Sequence, residues 1–187
     1  MRVIAGTAKG IPLRPVPGTG TRPITDKVKE SLFNILGDWI VDARVLDLFA
    51  GTGGVGIEAL SRGAAHVTFV EKHPRAVATI KDNLTNTRLK DRARVAQADV
   101  FAFLRGQPES FDLVYVAPPQ YEGLWRRTLE ALEENPGWLY PEGLVAVQIF
   151  PKEYEPVPLR SLHLTDERKY GSTLLCFYEP LADQPGR

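Results

Sequence analysis

Asp47-Leu48-Phe49-Ala50-Gly51-Thr52-Gly53-Gly54-Val55-Gly56 is the stretch that decides the fold. Its glycines let a chain turn tightly and approach a ligand without side-chain obstruction, and Gly51, Gly53 and Gly56 satisfy the G-x-G-x-x-G spacing. Glu71 follows about twenty residues after Gly51, where a ribose-binding acid belongs. The bland reading is a strand-to-helix turn that is merely tight; with Asp47 and Glu71 in place, a nucleotide-like cofactor is the stronger expectation.

Working outward, short apolar runs alternate with helical spacing. Strands are expected over 44–49, 66–70, 93–96, 111–116 and 144–150, and helices over 54–62, 74–86, 100–105 and 124–133. Such alternation implies βαβ units, hence an α/β fold with a mostly parallel sheet and helices on both faces. Before the first strand, Val28, Leu32, Ile35, Leu36, Trp39 and Ile40 fall on one face of a single helix over 26–40, which Thr25 or Asp26 can cap. At the other end, 161–169 and 172–179 flank Tyr170-Gly171 and predict a closing antiparallel hairpin. The organisation is a basic N-terminal arm (1–23), one domain (24–180) and a flexible tail (181–187). Four prolines and four glycines within residues 1–23 leave the arm, read as an appendage, room only for short strands near 2–5 and 11–13.

A chain of 187 residues, 43% hydrophobic and 25% charged, suits a single well-buried globular core. No apolar run reaches membrane-spanning length and no signal-peptide pattern opens the chain, so a cytoplasmic protein without membrane association is expected. The lone Cys176 and the scattered His66, His73 and His163 leave no metal-ligand cluster, and no metal is expected. Net charge is zero, yet residues 1–29 carry Arg2, Lys9, Arg14, Arg22, Lys27 and Lys29 against Asp26 alone. A basic arm on a neutral body suits contact with a polyanion, and equally a solvated start.

Ligands of open parallel sheets bind at the carboxyl ends of the strands. A carboxylate just before the glycine loop crowds a pyrophosphate but suits the ammonium and sulfonium charges of S-adenosylmethionine, so Asp47 favours that methyl donor over a nicotinamide dinucleotide. Glu71 can accept ribose hydroxyls, and Asp99 the adenine amino group; either can also be an ordinary cap or solvated acid. After the fourth strand come Ala117-Pro118-Pro119-Gln120-Tyr121. Two prolines stiffen a rim of carbonyls suited to an exocyclic amine, and Tyr121 can stack on a flipped base. The alternative there is a plain proline turn with a surface tyrosine.

Together these residues resemble the RsmD family, bacterial 16S ribosomal RNA guanine-N2 methyltransferases. The resemblance spans nearly the whole chain: the opening Arg2 to Gly10, the segment Arg22-Pro23-Ile24-Thr25-Asp26-Lys27-Val28-Lys29-Glu30-Ser31-Leu32-Phe33-Asn34, and Asp47 to Ala64 with Glu71 following. It implies a class I S-adenosylmethionine-dependent, Rossmann-like fold. It also implies that Asp47, Phe49, Gly51, Gly53, Glu71, Lys72, Asp99 and Val100 hold the cofactor and that the Thr25 region covers it. The implied substrate is a guanine of small-subunit ribosomal RNA. A chain of this size without an obvious recognition domain relies on substrate shape, so a monomer acting on an assembled small-subunit particle rather than on naked RNA is expected. Arg2, Lys9, Arg14, Arg22 and Lys27 would grip phosphates, while Ala117, Pro118, Pro119 and Tyr121 would form the catalytic rim.

One departure stands out. The family carries Asp or Asn before the proline pair and Phe or Tyr after it, where this chain has Ala117 and Gln120. The missing acceptor would hold the guanine N2 protons, and losing it costs on the order of 10²–10³ in rate by analogy with oxyanion-hole donors. A cofactor-binding but catalytically silent RNA-binding protein is therefore the competing reading. An oxidoreductase and a DNA amino methyltransferase are weaker alternatives. Glu122 offers a replacement carboxylate, though no spacing compels it.

Overall fold

The computed structural model describes residues 1–18 and 23–182. Five strands, β1 (Arg44–Leu48), β2 (His66–Glu71), β3 (Ala93–Gln97), β4 (Phe111–Val116) and β5 (Leu139–Ile149), are followed by the hairpin β6 (Leu162–Tyr170) and β7 (Thr173–Pro180). They form one seven-stranded sheet in the order β3-β2-β1-β4-β5-β7-β6. Strands β1 to β5 pair in parallel, and β7 runs antiparallel to both β5 and β6. Strand order reverses between β1 and β4, which is where an open sheet of this kind leaves a crevice.

Side chains alternate across the pleat and meet two helical layers. Val45, Leu113, Tyr115, Ala146 and Phe177 pack with α1 (Asp26–Leu36), α2 (Gly54–Ser61) and α3 (Pro74–Thr87) on one face. Leu46, Val114, Val116, Val145 and Val147 pack on the other with α4 (Val100–Leu104) and α5 (Leu124–Glu134). The helices thus cover both faces as expected, and none of those described is long and apolar enough to cross a membrane.

Three local expectations are corrected. The single helix over 26–40 stops at Leu36, because Gly37 adopts φ 54° and sends its N–H back to the Phe33 carbonyl; a 3-10 turn, Gly37–Ile40, follows and leaves Trp39 41% exposed. Strand β5 begins at Leu139 rather than 144, since a register shift against β4 between Phe111 and Leu113 absorbs Pro141 and Gly143, which read locally as a turn. The two short strands of the arm reduce to one bridge between Arg2 and Pro12.

The described part of the arm is also no loose appendage. Val3, Ala8 and Leu13 are buried in the same cluster as α1. Glu58 of α2 accepts the N–H groups of Ile4 (2.8 Å) and Ala5 (3.1 Å), and Ser61 Oγ accepts from Ala8 N (2.9 Å). The tail residues 183–187 lie outside the described residues.

Candidate active site

The loop after β1 is built by backbone conformations that few residues accept. Phe49 takes φ 59°, an uncommon left-handed geometry for an aromatic residue, and Gly51 and Gly53 follow at φ 58° and 79°. Gly56 is small for a different reason: a Cβ there would stand 2.3 Å from the Phe69 ring, so this glycine serves the contact of α2 with the sheet.

Three carboxylates stand at the ends of consecutive strands. Asp47 is 2% exposed, and its Oδ2 accepts the Gly56 N–H at 3.1 Å. Burial pushes its carboxyl up to about 8, with the nearby Glu71 charge adding to the rise and the Gly56 hydrogen bond opposing it. Glu71 ties two loops together: Oε2 accepts Gly51 N at 2.9 Å and Oε1 accepts His73 N at 3.1 Å. Asp99 caps α4, its Oδ1 accepting from Phe101 N (2.9 Å) and Ala102 N (3.0 Å). Capping uses that one oxygen, so the helical role and a ligand role are compatible.

A cavity of about 1450 Å³ opens at these strand ends and reaches from β2 across the β1–β4 crevice to β5. That exceeds the roughly 300–1,000 Å³ of a typical single small-molecule site, so a cofactor and a second ligand fit side by side. Asp47, Phe49, Gly51, Glu71, Lys72, Asp99 and Val100 all line it, and so do Ala117, Pro118 and Pro119.

Three expected residues stand back from the wall. Thr25 caps α1 by accepting the Val28 N–H (3.3 Å), while its neighbours Pro23 and Ile24 form the lining. Gly53 packs against Ile57 and Ile80. Tyr121, 66% exposed at φ 62°, stacks on Phe150 with ring centroids 5.4 Å apart; its backbone N–H is held by Glu153 at 2.6 Å.

Arg22 lies outside the described residues. Arg2 is 3.9 Å from Asp26 and Arg14 is 3.6 Å from Asp82, both exposed, whereas Lys9 and Lys27 are exposed without an ion pair among the described residues. Lys29, counted in the basic run, is fully buried against Glu58 and cannot meet solvent. Cys176 lies inside the sheet opposite Val147, and burial pushes its thiol up to about 12, so it is not a thiolate nucleophile.

Sequence reasoning missed part of the wall. Val16 and Pro17 of the arm line the cavity, as do Tyr115 and Gln148, whose side chains are joined by a hydrogen bond from the Tyr115 hydroxyl to Gln148 Oε1. Period-2 patterning marks Tyr115 as an inward-facing residue of β4 but carries no sign of its partner. Arg127 also lines the cavity and sits 4.2 Å over the Phe101 ring, whose neighbour Phe49 makes an edge contact at 6.4 Å.

The family described as Conserved hypothetical protein 95 matches residues 1–179. Ribosomal RNA small subunit methyltransferase D of Escherichia coli (strain K12) is 42% identical over 149 residues, covering 79% of this chain and 74% of that protein. Its namesake from Haemophilus influenzae is 38% identical over 152 residues, covering 79% and 78%. Among solved structures, the Escherichia coli protein yhhF superposes with a TM-score of 0.86 at 36% identity, covering 96% of this chain and 97% of that one. The seven-stranded, mostly parallel sheet with its closing antiparallel hairpin is the S-adenosylmethionine-dependent methyltransferase fold. With the match running from the arm through the last strand, the chain belongs to the Conserved hypothetical protein 95 family, the RsmD family.

Proposed function

We propose that this protein transfers the methyl group of S-adenosylmethionine to the exocyclic N2 of a guanine in 16S, small-subunit ribosomal RNA. The observation that carries the reading is Asp47: a carboxylate at the strand-order reversal, pushed up to about 8 by burial, beside a rim of two prolines. A sulfonium with a neighbouring ammonium pairs with that carboxylate by charge attraction in a poorly solvated site. Glu71 and Asp99 stand at the next two strand ends, where acceptors for ribose hydroxyls and an adenine amine belong. Bound there, the cofactor supplies an electrophilic methyl group. The chain's own task is positioning and exclusion of water, since direct transfer to nitrogen needs no covalent enzyme intermediate.

Pro118 and Pro119 border the space for the guanine, which enters unpaired or flipped. Arg2, Lys9, Arg14, Arg22 and Lys27 are proposed to grip phosphates, Arg2 and Arg14 exchanging weak surface ion pairs for the polyanion. The substrate is proposed to be a small-subunit particle read by shape, and the protein to act as a cytoplasmic monomer. Ala117 favours a second reading, a cofactor-binding RNA adaptor without turnover, because its methyl group accepts no hydrogen bond. One experiment separates them: labelled methyl transfer to small subunits lacking the modification, with digestion to nucleosides. N2-methylguanosine supports the enzyme; cofactor binding without incorporation supports the adaptor.

A further inference from the structure

With Ala117 in the position before the proline pair, the polar groups nearest the rim come from other residues. The register of β4 with β5 pairs Val116 with Val147, so the next residues along, Ala117 and Gln148, stand side by side at the carboxyl edge of the sheet. In a parallel pair such neighbours project to the same face, from strands about 4.8 Å apart. Both line the cavity. Gln148 is half-buried, and its Oε1 accepts a hydrogen bond from the hydroxyl of Tyr115, one pleat earlier on β4 than Ala117.

We propose that Gln148 supplies the hydrogen-bond acceptor that Ala117 cannot, its carboxamide oxygen taking an N–H of the target guanine while Tyr115 holds that oxygen in place; this rests on the guanine-N2 reading above. A carboxamide oxygen has two lone pairs, so Oε1 accepts from Tyr115 and from one further donor. Tyr115 is suited to permanent donation: burial, reinforced by the Asp47 charge, raises its hydroxyl well above the ordinary range and keeps it protonated. The other candidates are less defined. Gln120 and Glu122 line the same cavity but are exposed, and among the described residues neither side chain has a hydrogen bond that would fix it. Preorganisation, rather than the mere presence of a polar group, is what lowers a barrier.

In the transfer, the guanine N2 lone pair forms the new N–C bond as the S–C bond breaks, and the sulfonium becomes a neutral thioether. The N2 nitrogen, now carrying positive charge, loses one proton to water. Gln148 accepts a hydrogen bond from N2–H as that charge develops and does not take the proton. Gln148 is thus a catalytic residue and Tyr115 a positioning residue.

The test compares the wild type with Gln148→Ala, Tyr115→Phe and Gln148→Ala combined with Ala117→Asp. Each is assayed for kcat and KM with unmodified small subunits and for S-adenosylmethionine binding by calorimetry. The expected result is a fall in kcat of about 10²-fold in Gln148→Ala, with cofactor affinity within about twofold of wild type, as for removal of one oxyanion-hole group. Tyr115→Phe lowers kcat less, with KM unchanged, and the added Asp in the double variant restores kcat. Thermal unfolding and the cofactor titration identify any variant that fails to fold, and Tyr115→Phe, which removes only the hydroxyl bonded to Gln148 Oε1, keeps the test valid if Gln148→Ala loses stability. Wild-type transfer to guanine N2 that is unaltered in Gln148→Ala overturns this inference alone. Failure of the wild type to methylate N2 overturns the reading on which it rests, and this inference with it.

Discussion

Lys29 Nζ lies 3.3 Å from Glu58 Oε1, and both side chains are fully buried. The ammonium also donates to the Arg2 carbonyl at 2.6 Å, while Glu58 takes Arg62 Nε at 2.9 Å and two arm N–H groups. Burial lowers the Lys29 ammonium and Glu58 opposes that shift, so the charge survives only because the pair is complete. Through this pair, α1 and α2 hold the arm whose Val16 and Pro17 wall the cavity.

Glu58→Ala leaves the Lys29 ammonium buried with only the Arg2 carbonyl and strips four donors of their acceptor. The loss of one partner of a buried pair costs about 3–5 kcal/mol. Urea unfolding should show this loss, and limited proteolysis within residues 1–18 should speed up. An unchanged midpoint and an intact arm would refute the anchoring role.

Cofactor affinity should rise with pH up to about 8. Asp47 is largely protonated at neutral pH in the free protein, since its folded value of about 8 stands above the ordinary 3.8. A bound cation favours the carboxylate, so binding releases a proton. Calorimetry in buffers of different ionisation enthalpy should detect that release below pH 8 and lose it above. Proton release independent of pH would contradict it.

Asp47→Asn should abolish cofactor binding and stabilise the free protein. For a carboxyl whose folded value is raised, the folded state holds more protons than the unfolded state between about 4 and 8. Stability therefore falls as pH rises through that window, and the cost of the buried charge is complete above it. The neutral amide removes the cost, giving about 0.5–2 kcal/mol at pH 9 and little at pH 4. Thermal melts at the two pH values provide the comparison; equal shifts would argue against a titrating Asp47.

Ala117→Asp should raise kcat about tenfold with little change in KM. A charge-assisted hydrogen bond is roughly twice as strong as a neutral one, and about 1.4 kcal/mol in the transition state is a factor of ten. Single-turnover methyl transfer reads this directly. A fall in rate would mean that the space beside Gln148 is needed empty.

Lys9→Ala and Lys27→Ala should each weaken binding to small subunits uniformly and reduce the salt dependence by about one phosphate contact. Both lysines are exposed without an internal ion pair among the described residues, so their removal should leave thermal stability unchanged. An unaltered salt slope would move the RNA contact elsewhere.

Much was legible in the sequence because it rests on local physics. Apolar runs with period 2 or 3.6 report burial against one or two faces, so strands and helices emerged within a residue or so of their observed ends except near Gly37, near Pro141 and in the arm, where two expected strands reduce to one bridge. The glycines after β1, and the acids Asp47, Glu71 and Asp99 at successive strand ends, marked the strand-end cavity for the same reason: each is adjacent to the turn that needs it. What the tertiary structure alone decided lies between residues distant in the chain. Lys29 meets Glu58, Tyr115 meets Gln148, the arm becomes a wall, and Tyr121 leaves the cavity for Phe150. No periodicity encodes these pairings, because they depend on strand register and helix docking. Those are set by the whole core, and they turn a lysine that reads as a surface charge into a buried anchor.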